Sequence, residues 1–371
     1  MSLPLYLNRI VEQREVLSRE DARALLEAIL AAHAEADVPG GPHTLQLAGL
    51  LTALATRGEA PTEIAGFVDA MRAAATPVPL DEAEQALLVD TCGTGADLSG
   101  TFNISTAAAL VAAAAGPGIM VAKHGNRAVT SACGSADVLE ALGIPIGLSP
   151  AAGAAALRRH RFAFLHAPAL HPAMKAVMPV RRALGIRTIF HLVGPLSNPA
   201  GARAQVMGVY AARLVPIVAE AMRLLGVRHA FVVHGSAGTQ GAGTQGMDEI
   251  SISGPSQLAQ VRAQGPGGEV VFFQLTPEQV GLRSAPIESL RGGDAAANAA
   301  ILRAIFAGEP GPRRDVVLLN AAAVLIAAGA IPAATRDPLA AFRAAIALAA
   351  GAIDSGAVTR LITDLAGTAS F

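Results

Sequence analysis

Apolar residues recur at the 3.6-residue period through the first seventy-five or so positions, which predicts a run of amphipathic helices. Ser18, followed three positions later by Asp21, forms a capping box ahead of Ala22, Leu25, Leu26, Ile29 and Leu30, so a helix begins there. Thr44 to Thr56 repeats the pattern, as does Thr62 to Ala75, where Pro61 opens the helix and Ile64, Phe67, Val68 and Met71 share one side. Thr76-Pro77-Val78-Pro79 then breaks the helical period and marks a boundary. Beyond it, short apolar runs alternate with Gly turns and helical stretches. Leu87 to Cys92, Ile119 to Ala122, Met207 to Tyr210, His229 to His234 and Val270 to Leu275 read as strands, with helices near 295–306 and 318–328. This alternation predicts an α/β fold with a mostly parallel sheet behind a helical N-terminal domain.

Composition narrows the function. Of 371 residues, 52% are hydrophobic, which excludes a disordered chain. Lys and Arg total 28 against 29 Asp and Glu, so no global field favours nucleic acid or an anionic membrane, and a small ligand is expected. The most apolar stretches, Ala107 to Ala115 and Ala321 to Ala334, fall short of the ~20 residues of a membrane span and read as buried helices. Two cysteines, Cys92 and Cys133, cannot build a disulfide framework or a metal site and read as packing residues. With Arg9, Glu12, Arg14 and Glu15 where a signal peptide needs its apolar core, the expected location is cytoplasmic. An immediate repeat, Ala-Gly-Thr-Gln-Gly over 237–241 and again over 242–246, reads as a flexible insertion.

Two segments carry chemistry. In Asp90-Thr-Cys-Gly-Thr-Gly-Ala-Asp97, Gly93 and Gly95 let backbone N–H groups approach an anion, while Ser105 and Thr106 stand at the start of an Ala-rich helix. The pattern suits a polyphosphate, and equally a plain turn with a Ser/Thr cap; it is neither a Walker A loop nor a dinucleotide fingerprint. The run Lys123-His-Gly-Asn-Arg127, with Thr130, Ser131 and Ser135 after it, combines point charge, amide and hydroxyl donors.

Taken together, Gly-Thr-Gly-Ala-Asp97, Asn103-Ile-Ser-Thr106, Lys123-His-Gly-Asn-Arg127, His171-Pro-Ala-Met-Lys175, Pro179-Val-Arg181, Leu184-Gly-Ile-Arg-Thr188, Gly194-Pro-Leu196 and Asp248-Glu249 resemble the anthranilate phosphoribosyltransferase family in order and spacing. Gly58-Glu59, Met71-Arg72, Gly292-Gly293, Asn298 and Asn320 extend the resemblance over nearly the whole chain. It implies a nucleoside phosphorylase/phosphoribosyltransferase-like fold, with a helical domain over 1–76 joined by a helical excursion near 170–205, and an α/β domain over 77–371 that binds phosphoribosyl pyrophosphate. The implied reaction transfers phosphoribosyl from that donor to the amine of anthranilate, with Mg²⁺, in the second step of the tryptophan branch.

The resemblance assigns residues as well. Lys123, His124 and Arg181 are the implied catalytic group. Gly93, Ala96, Asp97, Thr101, Asn103, Ile104, Ser105, Thr106, Lys123, Asn126, Arg127, Thr130, Ser131 and Ser135 would hold the donor. Gly93, Asn126 and Arg181 would hold anthranilate, and Ser105, Asp248 and Glu249 would ligate magnesium. The implied partners are these two small molecules and a second copy in a homodimer, with no nucleic acid and no membrane. Three departures stand out: Ala96 replaces a second loop Gly, His191 replaces an Asn, and the doubled pentamer lengthens the approach to Asp248. They bear on acceptor specificity and Mg²⁺ affinity. The alternatives are a pyrimidine nucleoside phosphorylase-like enzyme, whose motifs do not match 123–127, and a non-catalytic nucleic-acid-binding paralogue, which calls for a basic stripe and a lost acidic pair.

Overall fold

Local signals place the first helices where the apolar period puts them. In the computed structural model, which describes residues 2–32, 41–95, 97–116, 118–128, 132–238, 246–263, 267–332 and 337–367, helices span Leu3–Val11, Arg19–Ala32, Pro42–Arg57 and Pro61–Ala73. The Ser18 hydroxyl accepts the Asp21 N–H at 3.1 Å, as the capping signal requires. Leu25, Leu26 and Ile29 are buried, as are Ile64, Phe67, Val68 and Met71. Their apolar cluster continues through Ala176, Val180, Phe190, Leu192 and Val193 and onto one face of the sheet. The Thr76–Pro79 stretch runs alongside, Thr76 N–H bonding Leu170 O at 2.8 Å and Val78 N–H bonding Pro199 O at 3.2 Å.

Seven strands form one sheet: β1 (Leu88–Gly93), β2 (Met120–Gly125), β3 (Phe162–His166), β4 (Ala204–Gly208), β5 (His229–Gly235), β6 (Ser256–Arg262) and β7 (Glu269–Leu275). Their order is β3-β2-β1-β4-β5-β6-β7, with β1 to β5 mutually parallel and β6 antiparallel to both its neighbours, β5 and β7. This agrees with a mostly parallel sheet. The opposite face is covered by apolar helices, chiefly Ile104–Ala114, Pro312–Ala328 and Pro338–Asp354. Alanine lets the first of these lie close to the strands, and Ala107 to Ala112 are completely buried. The second apolar stretch ends its helix at Ala328, and Ala333 and Ala334 lie outside the described residues. No single helix among the described residues is long and apolar enough to cross a membrane.

The topology selects one place for a ligand. Strand order reverses between β1 and β4, whose C-terminal residues Gly93 and Gly208 lie side by side. In an open parallel sheet the crevice outside such a switch point is where ligands bind.

Candidate active site

A loop from far along the chain fills the top of that crevice. Asp248 lies across β1 and β4, and a Cβ on Gly93 would strike its carboxylate while one on Gly208 would strike its carbonyl oxygen. Both positions require glycine because of this close approach. Thr94 Oγ1 and Gly95 N–H donate to Asp248 Oδ2 at 3.1 and 2.8 Å, and Asp248 N–H donates to Asp97 Oδ2 at 3.2 Å. Asp97, Asp248 and Glu249 each present an oxygen, all within 4.8 Å of one another. Asp248 and Glu249 are buried, and Glu249 Oε2 has no partner among the described residues.

That arrangement is electrostatically costly without a cation. Burial, with Asp97 beside it, pushes the Asp248 carboxyl up to about 7, and burial next to Asp248 pushes Glu249 well above the usual range. Three crowded carboxylates, one with an orphaned buried oxygen, are the hard-oxygen donor set that suits Mg²⁺, which takes one or two carboxylates and fills the rest with phosphate and water. A carboxyl whose pKa folding raises contributes stability that is complete below its unfolded value of 3.8 and is lost as pH climbs through about 7. The metal-free protein should therefore melt at lower temperature at about pH 8 than at about pH 5. Added Mg²⁺ should raise the melting temperature more at the higher pH; equal shifts in a calorimetric comparison would contradict the assignment.

Lys123, at the end of β2, is buried, its Nζ donating to Thr91 O at 2.7 Å and lying 3.5 Å from Ser105 Oγ. Burial lowers its pKa, while Asp90, Glu249 and Asp248 act to raise it. The ammonium thus stands beside Ser105 within the field of the acidic pair. Asp90 supports the strand end from below: its carboxylate accepts the His124 N–H at 3.1 Å and Asn198 Nδ2 at 2.9 Å. Burial, opposed by Lys123, pushes Asp90 up to about 6. The His124 and His171 rings are 5.0 Å apart, with neither Nε2 partnered among the described residues. Burial drives them down to about 3 and about 4, so both are neutral at physiological pH.

The remaining residues that the resemblance gives to the donor divide by geometry. Asn103 is a hub: its Nδ2 donates to Cys133 O at 3.2 Å, and its Oδ1 accepts Asn298 Nδ2 at 2.9 Å, whose own Oδ1 accepts Gly293 N–H at 2.8 Å. Thr101 bridges to Arg291. The Ile104 side chain is core, and Thr106 is fully buried with Oγ1 unpartnered among the described residues. Asn126 is exposed, and Arg127 is engaged by Asp137 at 3.0 Å and Glu140 at 2.9 Å. Asp137 Oδ2 also takes the N–H groups of Ala128 and Gly134, both at 2.9 Å, folding the loop onto the helix Ser135–Ala141. Ala96, Thr130 and Ser131 lie outside the described residues, as do 239–245 of the doubled pentamer.

The helical excursion brings Arg181 into view. Its guanidinium lies 5.4 Å from the Phe190 ring centre and 3.6 Å from Met178 Sδ, and its Nε is buried without a partner among the described residues. Burial lowers it only to about 10, so it stays cationic. Its neighbour Arg182 is exposed. His191 accepts the Thr188 N–H at 3.1 Å, and burial together with Arg181 pushes it down to about 4, leaving it neutral. This segment is pinned to the sheet where Gln205 Nε2 donates to Pro195 O at 2.8 Å. Cys92, on the same carbonyl at 3.9 Å, is a packing thiol raised by burial.

Two features escape sequence reasoning. The resemblance gives Asp97 to the donor, yet it sits with the carboxylates of Asp248 and Glu249, 151 residues from Asp248 in sequence. The Asp90–Asn198 and Asn103–Asn298 pairs are invisible in the sequence because each joins segments that only the sheet order brings together.

Comparison with known proteins follows the same division. Residues 4–75 match the family model described as "Glycosyl transferase family, helical bundle domain", and residues 85–359 match "Glycosyl transferase family, a/b domain". The anthranilate phosphoribosyltransferase of Solibacter usitatus is 47% identical over 329 residues, covering 89% of this chain and 90% of its own. That of Chloroflexus aggregans is 49% identical over 316 residues, covering 85% and 88%. Among solved structures, anthranilate phosphoribosyltransferase from Thermus thermophilus superposes with a TM-score of 0.82 at 40% identity, covering 97% of this chain and 98% of its own. The Saccharomyces cerevisiae enzyme in complex with PRPP and Mg gives 0.83 at 26% identity, covering 99% and 98%.

Proposed function

Since this chain belongs to the anthranilate phosphoribosyltransferase family, we propose that its switch-point crevice holds phosphoribosyl pyrophosphate and Mg²⁺ while the Arg181 segment presents anthranilate. The reaction transfers the phosphoribosyl group from phosphoribosyl pyrophosphate to the amine of anthranilate, giving N-(5-phosphoribosyl)anthranilate and pyrophosphate, a step of tryptophan biosynthesis. The observation that carries the site assignment is the crowded carboxylate triad, half-buried Asp97 with buried Asp248 and Glu249, and its orphaned Glu249 oxygen, set beside the strand end where Lys123 meets Ser105.

Asp97, Asp248 and Glu249 would hold Mg²⁺, which supplies Lewis-acid stabilisation of charge on the leaving pyrophosphate. Lys123 and the N-terminus of the helix Ile104–Ala114, with Ser105 and Thr106, add fixed positive potential facing the same charge. The bond from the ribose anomeric carbon to pyrophosphate oxygen breaks with its electron pair, and the carbon becomes cation-like. Arg181, its Nε unpartnered among the described residues, pairs with the anthranilate carboxylate and aims the amine at that carbon. The new C–N bond forms as the bond to pyrophosphate breaks, and the nitrogen sheds a proton that the departing pyrophosphate or water takes up. Orientation of a weak nucleophile, more than its activation, does the catalysis. Following anthranilate fluorescence and released pyrophosphate together tests the reading: one pyrophosphate per anthranilate consumed, only with Mg²⁺, is expected. Consumption that persists in chelator would overturn the metal role.

We also read residues 1–76 and the excursion near 170–205 as one helical domain, which the apolar cluster shared by Leu3 to Met71 and Ala176 to Leu196 supports, with 77–371 forming the α/β domain. Limited proteolysis that frees 1–76 as a folded fragment would contradict it. We also propose, from the family resemblance, a homodimer through this domain, where Leu5 and Leu45 on the packed helices Leu3–Val11 and Pro42–Arg57 are 47% and 65% exposed. A sedimenting species of 37.5 kDa would argue against that pairing.

A further inference from the structure

The residues after the acidic pair are buried but belong to no strand. Asp248 to Ile252 are all buried, outside any ladder, so their backbone groups need partners from elsewhere. The upstream end is fixed where Met247 and Gly235 exchange both backbone hydrogen bonds, at 2.8 and 2.9 Å. Downstream, Ser251 N–H donates to Ser256 Oγ at 2.9 Å and Ile252 O accepts the Ala285 N–H at 3.0 Å, while Ile250, directly after the acidic pair, is met by a side chain alone. Asn320 Oδ1 accepts the Ile250 N–H at 2.9 Å, and its Nδ2 donates to Ile250 O at 2.8 Å and to Val316 O at 2.9 Å. The amide therefore does for Ile250 what a neighbouring strand would do, satisfying both backbone groups at once.

The single bond to Val316 within its own helix does not account for this residue. Asn320 is 4% exposed in the interior of Pro312–Ala328, between Leu319 and Ala321, where asparagine is a weak helix former and an unpaired amide is costly. Three bonds use its acceptor and both donor hydrogens, and two of them reach 70 residues back to the position directly after Glu249. The helix Pro312–Ala328 has 17 residues, is buried along most of its length and makes a rigid anchor. The two carboxylates upstream of Ile250, with Asp97, lie within 4.8 Å against mutual repulsion; Thr94 and Gly95 hold Asp248 by its carboxylate, and the bonds to Ile250 hold the backbone directly after Glu249. We propose that Asn320 is a positioning residue that clamps Ile250 and so holds Asp248 and Glu249 in cation-binding register.

This inference rests on the metal-site reading above, and its test separates the two. Asn320→Leu removes the clamp at similar volume, and Asn320→Asp keeps the acceptor for Ile250 N–H while losing the donors. Glu249→Gln serves as the reference. Mn²⁺ alone is titrated into each protein and free Mn²⁺ followed by electron paramagnetic resonance, with near-ultraviolet circular dichroism recorded to gauge the folded fraction. For the folded fraction, Asn320→Leu should weaken Mn²⁺ binding by about tenfold or more, as loss of a group supporting a ligand does, with Asn320→Asp intermediate. The Mg²⁺ concentration for half-maximal turnover should rise in parallel, while KM for anthranilate stays within about twofold, since Arg181 is held by other elements. A merely structural Asn320 would lower the melting temperature and leave Mn²⁺ affinity within about twofold of the parent, overturning the proposal alone. Parent-like Mn²⁺ binding by Glu249→Gln would overturn the ligand reading and this proposal with it.

Discussion

Asp248→Asn combined with Glu249→Gln should cut Mg²⁺-dependent turnover by more than about a hundredfold, roughly 2.7 kcal/mol of barrier, in a protein that still folds. Both changes keep side-chain volume. Asparagine at 248 can retain an oxygen for Thr94 Oγ1 and Gly95 N–H, so the close packing over Gly93 survives. What disappears is the negative charge on which the proposed cation site depends. Because burial and mutual repulsion hold both carboxyls above their ordinary range, removing their charge should also raise the melting temperature of the metal-free protein at about pH 8. Lower activity with higher stability separates a functional site from a structural one. Retention of more than about a tenth of parental turnover at saturating Mg²⁺ would show that these residues do not ligate the metal.

Arg181→Ala should raise KM for anthranilate on the order of a hundredfold and leave KM for phosphoribosyl pyrophosphate nearly unchanged. The guanidinium stacks on Phe190 with Nε buried and unpartnered, so a carboxylate entering there gains a charged fork that nothing else in the described residues satisfies. His191 cannot substitute, since burial beside Arg181 leaves it neutral. Stability should hold, because the substitution removes a partly desolvated cation rather than an ion pair. Arg181→Lys should recover only part of the loss, as an ammonium offers no planar pair of donors. Steady-state kinetics with both substrates varied checks this; equal rises in the two KM values, or a collapsed melting transition, would make Arg181 structural.

How much of this is legible in the sequence depends on the range of the interaction. The helices opening at Ser18 and Pro61 are readable because capping and apolar period are local, and the structure places them within a few residues. β1, β2, β5 and β7 announce themselves as apolar runs. The run Met207 to Tyr210 overlaps β4 (Ala204–Gly208) at two residues only, because Gln205 interrupts the strand, as Gln257 and Gln260 interrupt β6; β3 is a short apolar run that follows directly on the charged Arg158 to Arg161. Lys123 and Ser105 are assigned from motif resemblance, and the fold sets them 3.5 Å apart. The meeting of Asp97 with Asp248, and of Asn320 with Ile250, depends on the order β2-β1-β4-β5 and on which helix covers which face. No local pattern encodes either. Arg127 shows the converse: a basic residue in a phosphate-like motif spends its guanidinium on Asp137 and Glu140, bracing the loop.

The central claim, that Asp97, Asp248 and Glu249 together form the cation site at the β1–β4 switch point, is tested most directly by locating the ion. Crystals grown with phosphoribosyl pyrophosphate and Mn²⁺ should show an anomalous peak roughly 2.0–2.3 Å from a carboxylate oxygen of this triad, with pyrophosphate oxygens completing the shell on the side of Lys123 and Ser105. A peak bound solely by the donor's phosphates, or placed on any other group of side chains, would contradict it.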